Sequence, residues 1–249
     1  MRRLIPAILC FASLCSGAIS LDKWTRGGDN SGGGTVSWSH NNGCVSHCIG
    51  IVTISSLTNP AMTLTWGGTA MTLMSSHATA YTGNGAGYSY IYCLVAPPSG
   101  TATISGSASG WMIGASGTYS GAQQSCTPDA TGFEEQATGN CPVGSAGYQC
   151  PVALTVGSAG SWVIGMFGAA PSQLYITTAA GTQRTGTNYG QYNVFDSAGP
   201  VSSGSYTMLA ADGTVAPNYS ELVVSITPYT TAAPTAVTAN PTVITVGPQ

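Results

Sequence analysis

The stretch Met62-Thr63-Leu64-Thr65-Trp66-Gly67-Gly68-Thr69-Ala70-Met71-Thr72-Leu73-Met74 decides the fold class. Apolar Met62, Leu64 and Trp66 alternate with Thr63 and Thr65, the two-residue period of a strand with one face turned inward. Gly67-Gly68 then supplies two residues that take positive φ without steric cost, as a two-residue hairpin turn requires. A second strand follows over Thr69–Met74. A strand, a tight turn and a returning strand so close together predict antiparallel sheet and leave no room for a helix.

The same pattern recurs in both directions. Thr35–His40 alternates, with Val36 and Trp38 on one face, and Ile49–Ile54 is a further strand. Tyr88–Ala96 is a long one, closed by Pro97-Pro98-Ser99-Gly100. Thr101–Ser105, Trp111–Ser116, Val152–Val156, Trp162–Phe167, Leu174–Thr178, Tyr206–Ala210 and Leu222–Thr227 complete the set, joined by Gly, Ser, Thr and Pro turns. No segment between 20 and 229 sustains helical periodicity. The prediction is an all-β, antiparallel, jelly-roll-like β-sandwich over residues 19–229, with no internal repeat visible. Two segments depart from the pattern. Residues 120–150 hold three cysteines, Pro128, Pro142 and the adjacent Glu134-Glu135, and are expected to form a disulfide-tied loop insertion that serves as a recognition site. Residues 230–249 are rich in Thr, Pro and Ala and read as a linker or a donor strand. Val243, Ile244 and Val246 are the candidate assembly residues there, because an uncharged β-branched segment with free backbone groups seeks a sheet edge.

Composition limits the partners. Only 5% of the 249 residues are charged, against roughly 25% in an ordinary soluble domain. The surface is therefore covered by Ser, Thr, Asn, Gln and Gly, with little charge repulsion to keep copies apart. Five basic residues cannot build a phosphate-binding patch, which argues against nucleic acid. At the N-terminus, Arg2 and Arg3, an apolar run over Leu4–Leu14 and the small residues Ser16-Gly17-Ala18 read as a secretory signal, residues 1–18, too short for a membrane span. The competing reading is a hydrophobic strand retained in the fold. A lipoprotein reading at Cys15 is disfavoured by bulky Leu14. A mature chain starting near Ile19 keeps three basic residues against eight acids, a net charge of −5, and no membrane span. It also keeps Cys44, Cys48, Cys93, Cys126, Cys141 and Cys150, an even set expected to form three disulfides outside the cell or at its surface.

The segments VSWSH at 36–40, LTWGGTAMTLM at 64–74, YCLVAPPSGTATIS at 92–105 and SELVVSITP at 220–228 resemble a jelly-roll-like β-sandwich module of uncharacterised bacterial secreted proteins and phage surface or tail-associated proteins. The resemblance spans roughly residues 20–229 and rests on hairpin and turn signatures, so it implies a fold more than a function, with no catalytic residues. The cysteine-rich 120–150 segment departs from it.

Constellations for chemistry are sparse. His40, Cys44, His47 and Cys48 have zinc-like composition, but export favours a Cys44–Cys48 disulfide closing a hairpin loop, so no metal or cofactor is expected. Gly27–Gly33 loosely echoes a serine-protease loop and reads better as a flexible lead-in. Among carboxylates only Glu134 and Glu135 are neighbours, and extended neighbours diverge; Asp196–Gly199 and Asp212-Gly213 read as turns. Tyr88, Tyr90 and Tyr92 share one sheet face and form either a sugar-stacking strip or a buried face, with burial slightly favoured. Tyr189 and Tyr192, with Phe195, are expected to line a ligand-binding loop, and Asn218 begins the Asn-Tyr-Ser glycosylation sequon. The expected function is a non-enzymatic structural or assembly subunit of an extracellular filament, surface layer or virion appendage. A carbohydrate-binding or adhesive module is the alternative, a secreted glycoside-active enzyme the minor one. The partner is accordingly a second copy or a neutral glycan or protein surface.

Overall fold

The computed structural model describes residues 17–30, 34–56, 62–83, 86–108, 110–136, 143–144, 147–170, 176–186, 192–212 and 218–231, and none of them is helical. The first half contains β1 (Ser20–Asn30), β2 (Gly34–Asn42), β3 (Ile49–Ser56), β4 (Thr65–Trp66), β5 (Thr69–Ala70), β6 (Thr72–Gly83), β7 (Ala86–Val95), β8 (Gly100–Ala108) and β9 (Met112–Ser120). The second contains β10 (Ala130–Gln136), β11 (Val143–Gly144), β12 (Gly147–Val156), β13 (Trp162–Ala170), β14 (Ile176–Ala180), β15 (Thr182–Gly186), β16 (Tyr192–Asp196), β17 (Gly204–Asp212) and β18 (Asn218–Ile226).

These strands form four antiparallel sheets. In the first half the orders are β1-β9-β3-β7-β6 and β2-β8-β4-β5; in the second they are β10-β18-β13-β16-β15 and β11-β12-β17-β14. Substituting β10, β18, β13, β16 and β15 for β1, β9, β3, β7 and β6 converts one five-stranded sheet into the other. The same substitution takes β2, β8 and β4 into β12, β17 and β14. The chain thus lays down one strand plan twice, a repeat that the sequence does not display.

Three apolar clusters stack the sheets in four layers. Val36, Trp38, Leu64, Trp66 and Ile104 of the first outer sheet meet Val52, Ile54, Tyr90, Tyr92, Leu94 and Met112 of its inner sheet. The opposite face of that inner sheet, with Ile49, Ile51, Ile91, Ile113 and Tyr119, packs on Trp162, Ile164, Met166, Tyr192, Val194, Leu222 and Val224 of the second inner sheet. Val163, Phe167, Phe195 and Val223 then meet Val152, Leu154, Val156 and Met208 of the last sheet. The inner strands are consequently buried on both faces, and every residue of β3 and β16 is enclosed. Their near-continuous apolar runs follow from that position. Close approach of the layers selects glycine at particular points: a Cβ on Gly50 would lie 2.6 Å from the Trp66 ring.

The Gly67-Gly68 hairpin forms as predicted, with φ of 58° and 82°. Other segments differ from the sequence reading. The lead-in Gly27-Gly28 belongs to β1, an edge strand of the inner sheet, where a Cβ on Gly27 would sit 2.4 Å from the Gly114 carbonyl. The loop expected over 120–150 is shorter: only residues 121–129 connect the halves, Ala130–Gln136 is β10, and Gly147–Val156 is β12. An edge strand has one unpaired side and tolerates Glu134-Glu135, which is why β10 reads as loop. Two disulfides are described, Cys44–Cys48 between β2 and β3 and Cys93–Cys126 from β7 to the inter-half connection. Cys141 lies outside the described residues, and Cys150 is placed in β12 by its backbone alone. The signal segment up to residue 16, and Val243, Ile244 and Val246 of the tail, also lie outside them. Gly17 N–H donates to Tyr229 O at 3.0 Å and Tyr229 N–H to Gly121 O at 2.7 Å.

The disulfides close loops of unequal size, with separations of 33 and 4 residues. In the chain-entropy account this corresponds to about 3–4 kcal/mol for Cys93–Cys126 and about 2 kcal/mol for Cys44–Cys48. Replacing Cys93 and Cys126 together by Ala is expected to lower the denaturation midpoint more than replacing Cys44 and Cys48, read by guanidinium titration.

Candidate functional site: buried polar junctions and a hydroxyl-bearing sheet face

Four of the five tyrosines proposed from the sequence lie among the described residues. On β7, Tyr88, Tyr90 and Tyr92 face the first outer sheet while Ile91 and Cys93 face the second half. Both faces of this sheet are covered, so the tyrosine ladder is interior. Tyr90 and Tyr92 are buried and Tyr88 half-buried, with ring centroids 6.4 and 6.2 Å apart along the ladder. Burial, then the neighbouring Tyr92 and Tyr88, pushes the Tyr90 hydroxyl up to about 12. Tyr192 does not line a loop. It lies on β16, fully buried between the halves, where its hydroxyl donates to Thr53 O at 3.0 Å and receives the Thr53 Oγ1 proton. Phe195 on the same strand is also enclosed. Tyr189 lies outside the described residues, and Asn218 is placed by its backbone at the start of β18.

The halves are joined by a polar network that the sequence does not reveal. Asp196 ends β16 with no solvent exposure. Arg184 of β15 donates through Nε to its Oδ2 at 2.8 Å and pairs through Nη2 with Oδ1 at 2.7 Å. From the other half, Tyr119 O–H donates to Oδ2 at 2.9 Å and itself accepts from Trp24 Nε1 at 2.9 Å. Asp196 does take part in the expected turn, accepting Ala198 N–H at 2.8 Å. Tyr119 stands edge-on to Trp162 at 5.6 Å, and burial with the Asp196 charge pushes its hydroxyl well above the usual range. Ser89 and Ser220 add another hydroxyl pair between the halves at 3.0 Å.

Glu134 and Glu135 are successive residues of extended β10, and the sheet sets Glu134 directly opposite Glu221 across β10 and β18. Glu221 is fully buried, and neither oxygen has a hydrogen-bond partner among the described residues. Burial first, and the Glu134 charge second, hold its carboxyl well above the usual range, so it is kept neutral.

His40 is equally committed to the interior. Trp38 Nε1 donates to Ser116 Oγ at 2.9 Å, and Ser116 Oγ lies 2.9 Å from His40 Nδ1. His40 Nε2 lies 3.3 Å from Thr118 Oγ1, which donates to Asp22 Oδ2 at 2.8 Å. These partners assign the neutral imidazole with its proton on Nε2. Burial, then the Lys23 charge, pulls its pKa to about 4, with Asp22 opposing. Cys44 and Cys48 are bonded to one another, so with His40 and His47 they do not make a tetrahedral ligand set. Among the described residues no three His, Cys, Asp or Glu side chains gather as metal ligands would.

The first outer sheet turns a different chemistry to solvent. Its inward residues Val36, Trp38, His40 and Asn42 are buried, while Thr35, Ser37, Ser39 and Asn41 alternate with them and are exposed. Opposite them on β8 stand Ser107, Ser105, Thr103 and Thr101, in nine consecutive pairs without a register shift. Thr63 is exposed and Thr65 half-buried beside them, with Thr65 paired to Ser105. None of these strands carries Asp, Glu, Lys or Arg.

The chain matches no known family model, no curated protein and no solved structure. Among the described residues no helix is long and apolar enough to cross a membrane.

Removing one partner of a buried ion pair strands the other, at about 3–5 kcal/mol. Arg184→Met is therefore expected to lower stability by that amount in a urea titration, and Asp196→Asn by less, since the amide oxygen still accepts from Tyr119. Two buried groups set opposite pH limbs. The unfolded histidine takes up a proton near its ordinary 6.5 and the folded one near 4, so stability falls as pH drops from about 6.5 to 4, and His40→Gln flattens that limb. Glu221 has the opposite sign. Its unfolded carboxyl ionises near the ordinary 4.5 while the folded one stays protonated, so stability falls as pH rises above that value. Glu221→Met is expected to stabilise the protein at pH 7 by about 1–3 kcal/mol, the cost of an unmet buried polar group, and by less at pH 4.

Proposed function

We propose that this chain is a secreted, non-enzymatic structural subunit that assembles through an uncharged surface. The observation that carries the reading is the exterior itself. Val45 is 93% exposed on the loop that the Cys44–Cys48 disulfide closes. That loop sits beside Gly17 and Tyr229: His47 stacks on the Tyr229 ring at 3.6 Å, and Ser46 and His47 carbonyls accept from Gly121 and Ala122 N–H. An apolar side chain presented on a short closed loop has little freedom to lose on contact, and few charges oppose approach of a second copy.

Other features support the same reading. The tyrosine ladder and Tyr192, which would have favoured sugar stacking, are interior. Glu221, the acid nearest to a carboxylate pair, is enclosed and meets no substrate. In both halves most chain connections cross between an inner and an outer sheet, the exceptions being β4–β5 and β6–β7 in the first half and β11–β12 and β15–β16 in the second, a winding compatible with a β-sandwich module. Two disulfides suit an oxidising compartment. The tail residues 236–247, with Val243, Ile244 and Val246, supply a strand for the sheet edge of the next subunit, head to tail, giving an open polymer.

The test is native mass spectrometry and negative-stain microscopy of the exported protein across a concentration series. Polymers are expected for the intact chain and not after deletion of residues 230–249, and Val45→Asp is expected to raise the concentration needed for assembly. A chain that stays monomeric at every concentration overturns the proposal; polymers undiminished by the deletion remove the tail as the connector.

A further inference from the structure

The exposed face of the first outer sheet is a two-dimensional array of short hydroxyl side chains. Thr35, Ser37 and Ser39 run along β2, opposite Ser107, Ser105 and Thr103 of β8. Sheet geometry spaces such positions at about 4.8 Å across strands and about 6.7 Å along them. Nine uninterrupted pairs keep the array in register, whereas the register of the inner sheet shifts along β1 and β6. The face carries no charge and no aromatic ring pointing outward, since Trp38, Trp66 and His40 all point inward and are buried.

The array is also held from behind. Trp38 and His40 are anchored to Ser116 and Thr118, and Asn42 donates to the carbonyls of Pro97 and Pro98 at 3.1 and 3.0 Å. A surface fixed in this way loses little conformational freedom when it meets a rigid partner.

From the array we infer that this face binds ordered water, adsorbing to the surface of ice. A single hydroxyl gains little by exchanging liquid water for another partner. Many hydroxyls in fixed register gain together, provided that the partner repeats on a similar scale and carries no charge of its own. An ice surface is such a partner: a regular, neutral array of oxygen donors and acceptors. Threonine methyl groups between the hydroxyls leave water beside them with few competing contacts. A crystalline polysaccharide also repeats, but its sugar rings are held by aromatic stacking, and this face has no ring to offer. The other outer sheet is a poorer candidate, because Pro151, Ala153 and Leu209 occupy positions that here are Ser or Thr.

The experiment is partition of the intact exported protein into a slowly growing ice shell, with inhibition of ice recrystallisation as a second reading. Wild type is expected to enrich in the ice. Ser39→Lys together with Thr103→Lys, directly opposed and both exposed, is expected to cut that enrichment at least tenfold with an unchanged melting temperature. Ala153→Lys with Thr207→Lys on the other outer sheet serves as the control and is expected to change nothing. Exclusion of wild type from ice overturns the inference, as does retention on microcrystalline cellulose or chitin without retention in ice. Equal loss in both double variants, or loss in neither, removes this face as the binding surface.

Discussion

Two sheets that must each be dry on both faces are the constraint on which this structure depends. A strand of an ordinary sandwich hides one face and wets the other, but β3, β9, β13, β16 and β18 are covered above and below. Each polar group placed on them has to find a partner within the protein, because no water competes for it. Most do: Thr53 with Tyr192, Ser89 with Ser220, Asp196 with Arg184 and Tyr119, Ser116 with Trp38 and His40. These contacts join residues far apart in the chain and, in the first three cases, join the two halves. Apolar packing supplies attraction with little directional preference, while hydrogen bonds with fixed geometry define how one half sits on the other. Glu221, Ser225 and the Trp162 Nε1 depart from the rule among the described residues, and burial, with the Glu134 charge beside it, holds the Glu221 carboxyl well above the usual range.

The outer layers answer to a weaker constraint and therefore carry the surface chemistry. They need an apolar inward face, met by Val36, Trp38, Leu64 and Ile104 on one side and by Val152, Leu154 and Met208 on the other. Their outward faces are free of that requirement, and on the first sheet the freedom is filled with Ser, Thr and Asn. Few charges lie on these faces, whereas the edge strands β1 and β10 carry Asp22, Lys23, Arg26, Asp29, Glu134 and Glu135. Surface hydration on such a sheet comes from hydrophilic but neutral side chains, which offer little charge repulsion to an approaching surface. The same neutrality leaves few groups through which a polyanion could be held.

Much of this was legible without coordinates. Alternating residues and the Gly67-Gly68 turn determined an antiparallel all-β fold, and the spacing of Cys44 and Cys48 pointed to a closed loop, because strand period, turn geometry and short disulfides are local properties of the chain. What lay on the far side of each strand was not legible. Period two separates Tyr90 and Tyr92 from Ile91 and Cys93 but gives no sign that both sets are interior, since that depends on a second half packed 100 residues later in the chain. Tyr192 looked like a loop residue because Gly and Asn surround it, and Asp196 looked like a turn residue because it is one. Only the tertiary structure brought Asp196 to Tyr119, set Glu134 against Glu221 and repeated the strand plan in the second half. The physical reason is that sequence pattern reports the local alternation of faces, whereas burial on both faces and the pairing of distant polar groups arise from contacts between segments whose separation carries no periodic signal.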